Sequence, residues 1–265
     1  MATRKRITVA DFLAMKKRGE KISMLTAYDF RTAKLLDQAG VEGILVGDSM
    51  AMVVQGHTTT VPVTLDQLIY HGEMVVRGVE RSLVVVDLPF PINHLALAEL
   101  VDRAGRLLKE TGCQAVKMEG GAKQAECIEA MVTAGIPVVA HVGLRPQSIN
   151  LVGRYRVHRD RDVLLTDARA AQQAGAFAVV VECVPADIAA HLSADLEIPT
   201  IGIGAGAGCD GQILVTDDLL GLTTGYVPSF VKQYADLQTT MTDAVQKYCG
   251  DVRSGEFPGP DQTFT

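Results

Sequence analysis

The chain has 265 residues, 48% of them apolar, and a formal net charge of −6, which is length enough for one large α/β barrel or two small domains with a sizeable core. The acidic balance, with no basic stripe interleaved with aromatics, argues against nucleic acid as a partner, and Asp, Glu, Arg or Gly breaks every apolar stretch short of a bilayer span. A soluble protein acting on small molecules, away from membranes, is expected.

The start, Met1-Ala2-Thr3-Arg4-Lys5-Arg6, is basic, but the mixed segment 8–21 lacks the apolar core of a secretory signal. Five scattered cysteines without a CxxC pair do not read as a disulfide framework, so a reducing cytoplasm is the expected compartment. Eight apolar runs then read as strands, at 22–27, 43–47, 82–86, 115–118, 136–140, 178–181, 199–203 and 212–215. Helical stretches at 31–39, 65–79, 95–109, 125–134, 166–174 and 186–196 separate most of them, the alternation expected of parallel βα units. Gly40, Gly135 and Gly175 each stand where a helix stops just before an apolar run.

The last unit is irregular, because the short stretch between 199–203 and 212–215 leaves little room for a crossover helix. Beyond it, 230–248 has helical spacing of apolar residues, and 255–265 should be extended. No linker rich in Pro, Gly or Ser divides the chain. The prediction is a single-domain (β/α)₈ TIM barrel over residues 1–265, with an N-terminal extension and a C-terminal helix plus tail, and an open doubly wound sheet as the rival.

Three acids stand where apolar runs give out: Asp48, Asp87 and Glu119. Carboxylates at the tips of buried strands lose hydration, and a hard divalent cation such as Mg²⁺ is the simplest replacement. Asp48 and Asp87 could instead be helix caps, and Glu119, followed by two glycines, a loop carboxylate. Lys117 lies two positions before Glu119, on the same strand face; its plainer reading is an internal ion pair with Glu119 or Asp87. His141 and Glu182 end the fifth and sixth runs, as a substrate contact or packed imidazole and as a buried general acid/base. The other five histidines show no zinc-ligand spacing. One GxGxxG match, Gly206, Gly208 and Gly211, runs into a strand rather than opening a helix, so close backbone packing or a loop over a ligand explains it better than a dinucleotide site.

At these residues the chain resembles the ketopantoate (3-methyl-2-oxobutanoate) hydroxymethyltransferases. The carriers include Val46-Gly47-Asp48-Ser49, Asp87-Leu88-Pro89-Phe90, Val116-Lys117-Met118-Glu119-Gly120-Gly121, His141-Val142-Gly143-Leu144, Pro146-Gln147-Ser148 and Glu182-Cys183-Val184-Pro185. The resemblance spans about 24–258 and implies a (β/α)₈ barrel. It also implies transfer of a one-carbon unit from 5,10-methylenetetrahydrofolate to 3-methyl-2-oxobutanoate, giving 2-dehydropantoate through a Mg²⁺-stabilised enolate. It further implies Asp48, Asp87 and Glu119 as the Mg²⁺ site, directly or through water; Asp48, Ser49, Asp87 and Lys117 as oxo-acid contacts; Glu182 as proton acceptor; His141 as an active-site histidine; and a homodecamer. Arg145 and the 152–155 stretch depart from the family's usual pattern. The rival activities are a barrel enzyme of the phosphoenolpyruvate mutase and isocitrate lyase type acting on another oxo acid, and a non-catalytic oxo-acid-binding subunit.

Overall fold

The computed structural model describes residues 5–154 and 156–264. The chain gathers into two compact units, Met1–Val215 and Thr216–Thr265. The first is a closed barrel of eight parallel strands in sequence order: β1 Ile22–Thr26, β2 Gly43–Val46, β3 Leu83–Asp87, β4 Ala115–Glu119, β5 Val138–Gly143, β6 Ala178–Glu182, β7 Thr200–Ile203 and β8 Gly211–Leu214. All eight expected strands are present, and the open sheet is excluded because β8 pairs with β1, Ile22 facing Gly211 and Leu25 facing Leu214. Among the described residues, no helix is long and apolar enough to cross a membrane.

The strands read as unbroken apolar runs because both of their faces are buried. Ile44, Val46, Val84, Val86, Val116 and Met118 pack outward under the helices, whereas Leu45, Leu83, Val85, Ala115, Val139, Ala178, Val180 and Ile201 fill the barrel. Side chains alternate with period two, so Asp87, Lys117, Glu119, His141 and Glu182 share the inward parity of those interior residues. They form the top layer of the interior, above an apolar floor.

The opposite end is closed by the helix Val9–Arg18, which the sequence reading missed. Thr8 and Asp11 cap its start reciprocally, and Gly19, left-handed at φ 68°, stops it. Its Phe12 is 1% exposed, sits with the interior cluster, and meets Phe177 edge-on at 6.2 Å between ring centres. Lys16 adds an ion pair to Asp210 at 2.7 Å.

Between β7 and β8 no helix intervenes, as the short spacing suggested; the 204–210 loop makes the connection. The helix expected at 95–109 is Leu97–Arg106, continued by a π-helical turn, Leu107–Thr111, whose last hydroxyl donates to the Leu107 carbonyl at 2.6 Å. In the second unit the helix is Leu237–Ser254, starting later than the predicted 230. Tyr234 N and Leu237 N donate to the carbonyls of Leu219 and Leu220, which holds the 230–236 stretch out of a helix, and the Asp236 side chain caps the helix start. The tail is not simply extended, since Pro260–Gln262 forms a 3₁₀ turn.

Candidate active site

Asp87, Lys117, Glu119, His141 and Glu182 lie on four consecutive strands, and neighbours in register are neighbours in chemistry. Asp87 pairs with Lys117 across β3–β4, Glu119 with His141 across β4–β5, and Gly143 with Glu182 across β5–β6. Lys117 Nζ is 2.9 Å from Asp87 Oδ1 and 3.3 Å from His141 Nδ1, and His141 Nε2 is 3.1 Å from Glu182 Oε2. The result is a continuous row, carboxylate, ammonium, imidazole, carboxylate, across the mouth.

That row fixes the histidine's tautomer. An ammonium has only donors, so Nδ1 must accept from Lys117 and the neutral ring's hydrogen must sit on Nε2, near Glu182 Oε2 but off the line of a hydrogen bond to it. Burial, with the adjacent Lys117 charge, pushes the His141 pKa well below its ordinary value, so the ring is neutral. Burial raises Glu182 to about 7, with Lys117 pulling the other way.

Asp48 lies two residues beyond β2, at the edge of the same cluster. Its backbone N–H donates to Asp87 Oδ2 at 3.0 Å, so neither acid does the work of a helix cap; the following Met50–Val53 turn has no side-chain cap. Ser49 Oγ is 2.8 Å from the Tyr28 hydroxyl, and Gly47 lies between Ser49 and Asp87: a methyl there would stand 2.9 Å from Ser49 Oγ and 3.6 Å from Asp87 Oδ2. Glu119 is 3% exposed and belongs to a strand rather than to the loop of its plainer reading.

Sequence reasoning gave no role to Gln147, in the 3₁₀ turn Pro146–Ser148 after β5. Its Nε2 donates to Asp48 Oδ2 at 2.8 Å and to the Leu88 carbonyl at 2.9 Å, and its backbone N–H faces both Glu119 oxygens at 3.3 and 3.2 Å. Asn93 was missed as well; its Nδ2 donates to the Glu119 carbonyl at 2.9 Å. The one available signal was position, a polar residue just past a strand end. Arg145 pairs with Asp167 at 2.6 Å, and Asp167 accepts from Ala122 N beside Gly121, bracing the loop after Glu119.

The electrostatics are unbalanced. Asp48, Asp87 and Glu119 are all buried, and Lys117 is the ammonium set against them. Burial raises Asp87 to about 7, with Lys117 lowering and Asp48 raising it, and burial together with the charge of Asp48 puts Glu119 well above the carboxylate range. Burial works against the Lys117 charge, but the surrounding carboxylates outweigh it and hold the ammonium above its ordinary pKa. The side chains as arranged form no preassembled cluster of three metal-ligating groups among the described residues. The donor chemistry nevertheless fits a hard divalent cation, because the three buried acids offer oxygen donors alone, and burial followed by carboxylate repulsion raises Asp87 and Glu119 for want of positive charge.

Comparison with known proteins agrees. The family model for ketopantoate hydroxymethyltransferase matches residues 6–260. The chain belongs to that family. The 3-methyl-2-oxobutanoate hydroxymethyltransferase of Rhodopirellula baltica is 56% identical over 259 residues, covering 98% of this chain and 96% of that one. The Salinibacter ruber enzyme of the same name is 52% identical over 263 residues, covering 98% and 99%. As a ketopantoate hydroxymethyltransferase family member the chain is a transferase. In fold it is similar to the phosphoenolpyruvate phosphomutase of Streptomyces platensis, with TM-score 0.63, 16% identity and coverage of 94% and 88%. A phosphonopyruvate hydrolase complexed with oxalate and Mg²⁺ is similar too, with TM-score 0.62, 13% identity and coverage of 97% and 93%. At such identities these two speak to the fold alone.

Proposed function

We propose that this chain transfers a hydroxymethyl group from 5,10-methylenetetrahydrofolate to 3-methyl-2-oxobutanoate, forming 2-dehydropantoate, a step toward pantothenate and coenzyme A. The observation that carries the reading is the set of three buried carboxylates short of positive charge, beside a row ending in a carboxylate raised to about 7. Asp48, Asp87 and Glu119 would hold a divalent cation, Mg²⁺ by the oxygen-only donor set. When bound it would take up negative charge developing on the oxo acid's oxygens.

The chain's own groups do the rest. Lys117, already ion-paired with Asp87, offers its remaining donors to a substrate oxygen, while Asp48, Ser49 and Asp87 line the same corner. Glu182, ionised, removes the proton from C3 of the oxo acid, and the electron pair left at C3 forms the new bond to the methylene carbon carried by folate. His141 Nε2, 3.1 Å from Glu182 Oε2 without the angle of a hydrogen bond, packs beside the base and keeps water from that side of it. The methylene carbon is held by two folate nitrogens: one C–N bond breaks as the bond to C3 forms, the other as water supplies the product's hydroxyl, and the protons from C3 and from water end on the two nitrogens.

A coupled assay with the oxo acid, methylenetetrahydrofolate and Mg²⁺, omitting each in turn, tests the reading. Turnover should need all three. Turnover without folate would favour a mutase- or lyase-type barrel enzyme, and oxo-acid binding without any C3 proton exchange would favour a non-catalytic subunit. The same reading takes residues 1–265 as one domain, since no linker divides them, places it in the cytoplasm on its scattered cysteines, and takes the homodecamer from the family resemblance; light scattering that gave a monomer would remove the decamer.

A further inference from the structure

Every carboxylate of the acidic trio is already held by a fixed protein donor. Asp48 Oδ2 accepts from Gln147 Nε2 at 2.8 Å, Asp87 is flanked by Lys117 Nζ at 2.9 Å and Asp48 N at 3.0 Å, and both Glu119 oxygens face Gln147 N. Gln147 therefore touches two of the three acids at once, from the turn after β5, and hangs on the Leu88 carbonyl just beyond β3 as well. Its amide orientation is fixed, because a flip would set Oε1 against Asp48 Oδ2 and the Leu88 carbonyl, neither of which donates.

A carboxylate oxygen that accepts one fixed hydrogen bond keeps a single lone pair in a direction set by its donor, so Asp48, held at Oδ2 by Gln147, is hindered from turning both oxygens onto one cation. Asp48 Oδ1 accepts no hydrogen bond from a described residue, whereas Oδ2 is taken. Large Ca²⁺ collects six to eight oxygens and favours bidentate carboxylates; Mg²⁺ takes six at short range and keeps several as water. Gln147 is 6% exposed, and its Oε1 is buried without a partner among the described residues, an acceptor suited to the O–H of a retained water.

We infer that Gln147 is a positioning residue that sets cation selectivity: by occupying Asp48 Oδ2 and bracing Glu119, it makes the site accept a small, partly hydrated cation such as Mg²⁺ and discriminate against Ca²⁺. The inference rests on the metal site proposed above, and goes beyond it.

Calorimetric titration of the full chain with Mg²⁺ and, separately, with Ca²⁺ tests it, comparing wild type with Gln147→Met, which keeps the volume and removes the amide donors. Wild type should bind Mg²⁺ more tightly than Ca²⁺. The substitution should narrow that preference about tenfold, a typical effect of groups that orient metal ligands. An unchanged ratio in the folded variant overturns the inference. So does a wild-type protein that binds Ca²⁺ as tightly as Mg²⁺, a result that needs no variant. A wild type that binds neither ion overturns the metal reading itself, and the selectivity claim falls with it.

Discussion

Glu182 is the residue on which the chemistry turns. Burial raises it to about 7, and a base works only when ionised, so kcat/KM should climb with pH through about 7 and then level off. Neutral His141 beside it and Lys117 beyond do not lose charge in that range: the imidazole is held well below its ordinary pKa and the ammonium above its own. Asp87, also raised to about 7, should be held ionised by saturating Mg²⁺, so under that condition Glu182→Gln should flatten the rising limb and lower turnover roughly 10²–10⁴-fold, with cation affinity kept, since Glu182 faces His141 and not the acidic trio. Deuterium exchange at C3 followed by NMR is the direct check; exchange at the wild-type rate in the variant would strike Glu182 from the role. The positions of Asp87, Lys117, Glu119, His141 and Glu182 were legible because each interrupts an apolar run at the same end of a strand. Gln147 was not. Its partners are Asp48, 99 residues away, and Leu88, 59 away, and no local pattern encodes a bond of that span.

Among the elements, the helix Val9–Arg18 is the one whose importance exceeds its visibility. Its cap uses Asp at the third position in place of the more usual Glu or Gln, and its apolar residues run together over 9–15, broken only by Asp11, which gave the sequence reading no clear period to catch. Yet Phe12 completes the barrel floor, and Phe12→Ala should lower unfolding free energy by about 3–5 kcal/mol in a urea titration, the usual result for a buried aromatic. A loss below about 1 kcal/mol would mean that the floor is closed without it. The strands, in contrast, were readable to within three residues, because burial on both faces demands uninterrupted apolar stretches. The start of the final helix was missed by seven residues for a nonlocal reason: the backbone N–H groups of Tyr234 and Leu237 are claimed by Leu219 and Leu220 before the helix begins at Leu237.

For the whole molecule, the uncompensated acids at the mouth work against folding, and a cation that binds only the folded state should reverse this. At a hundredfold excess over Kd the gain is about 2.7 kcal/mol. Scanning calorimetry should therefore show Mg²⁺ raising the midpoint by several degrees and a chelator undoing it. An identical midpoint with and without Mg²⁺ would count against a cation at the trio. Barrel closure itself depends on the 204–210 loop lying flat where other units have a helix. Gly208 has no room for a methyl because the Ala190 methyl, on the helix Ala186–Asp195, would stand 2.7 Å from it, and Gly206 meets Ala186 in the same way at 2.5 Å. These glycines are half of a fitted pair of surfaces, which is why a nucleotide-like spacing arises with no nucleotide to explain it. One carbon atom, then, could trade sides: Gly208→Ala alone should lower the melting temperature, and adding Ala190→Gly should restore part of the loss, short by the roughly 1 kcal/mol that glycine costs within a helix. A double variant no more stable than the single would mean that the two surfaces do not share that space after all.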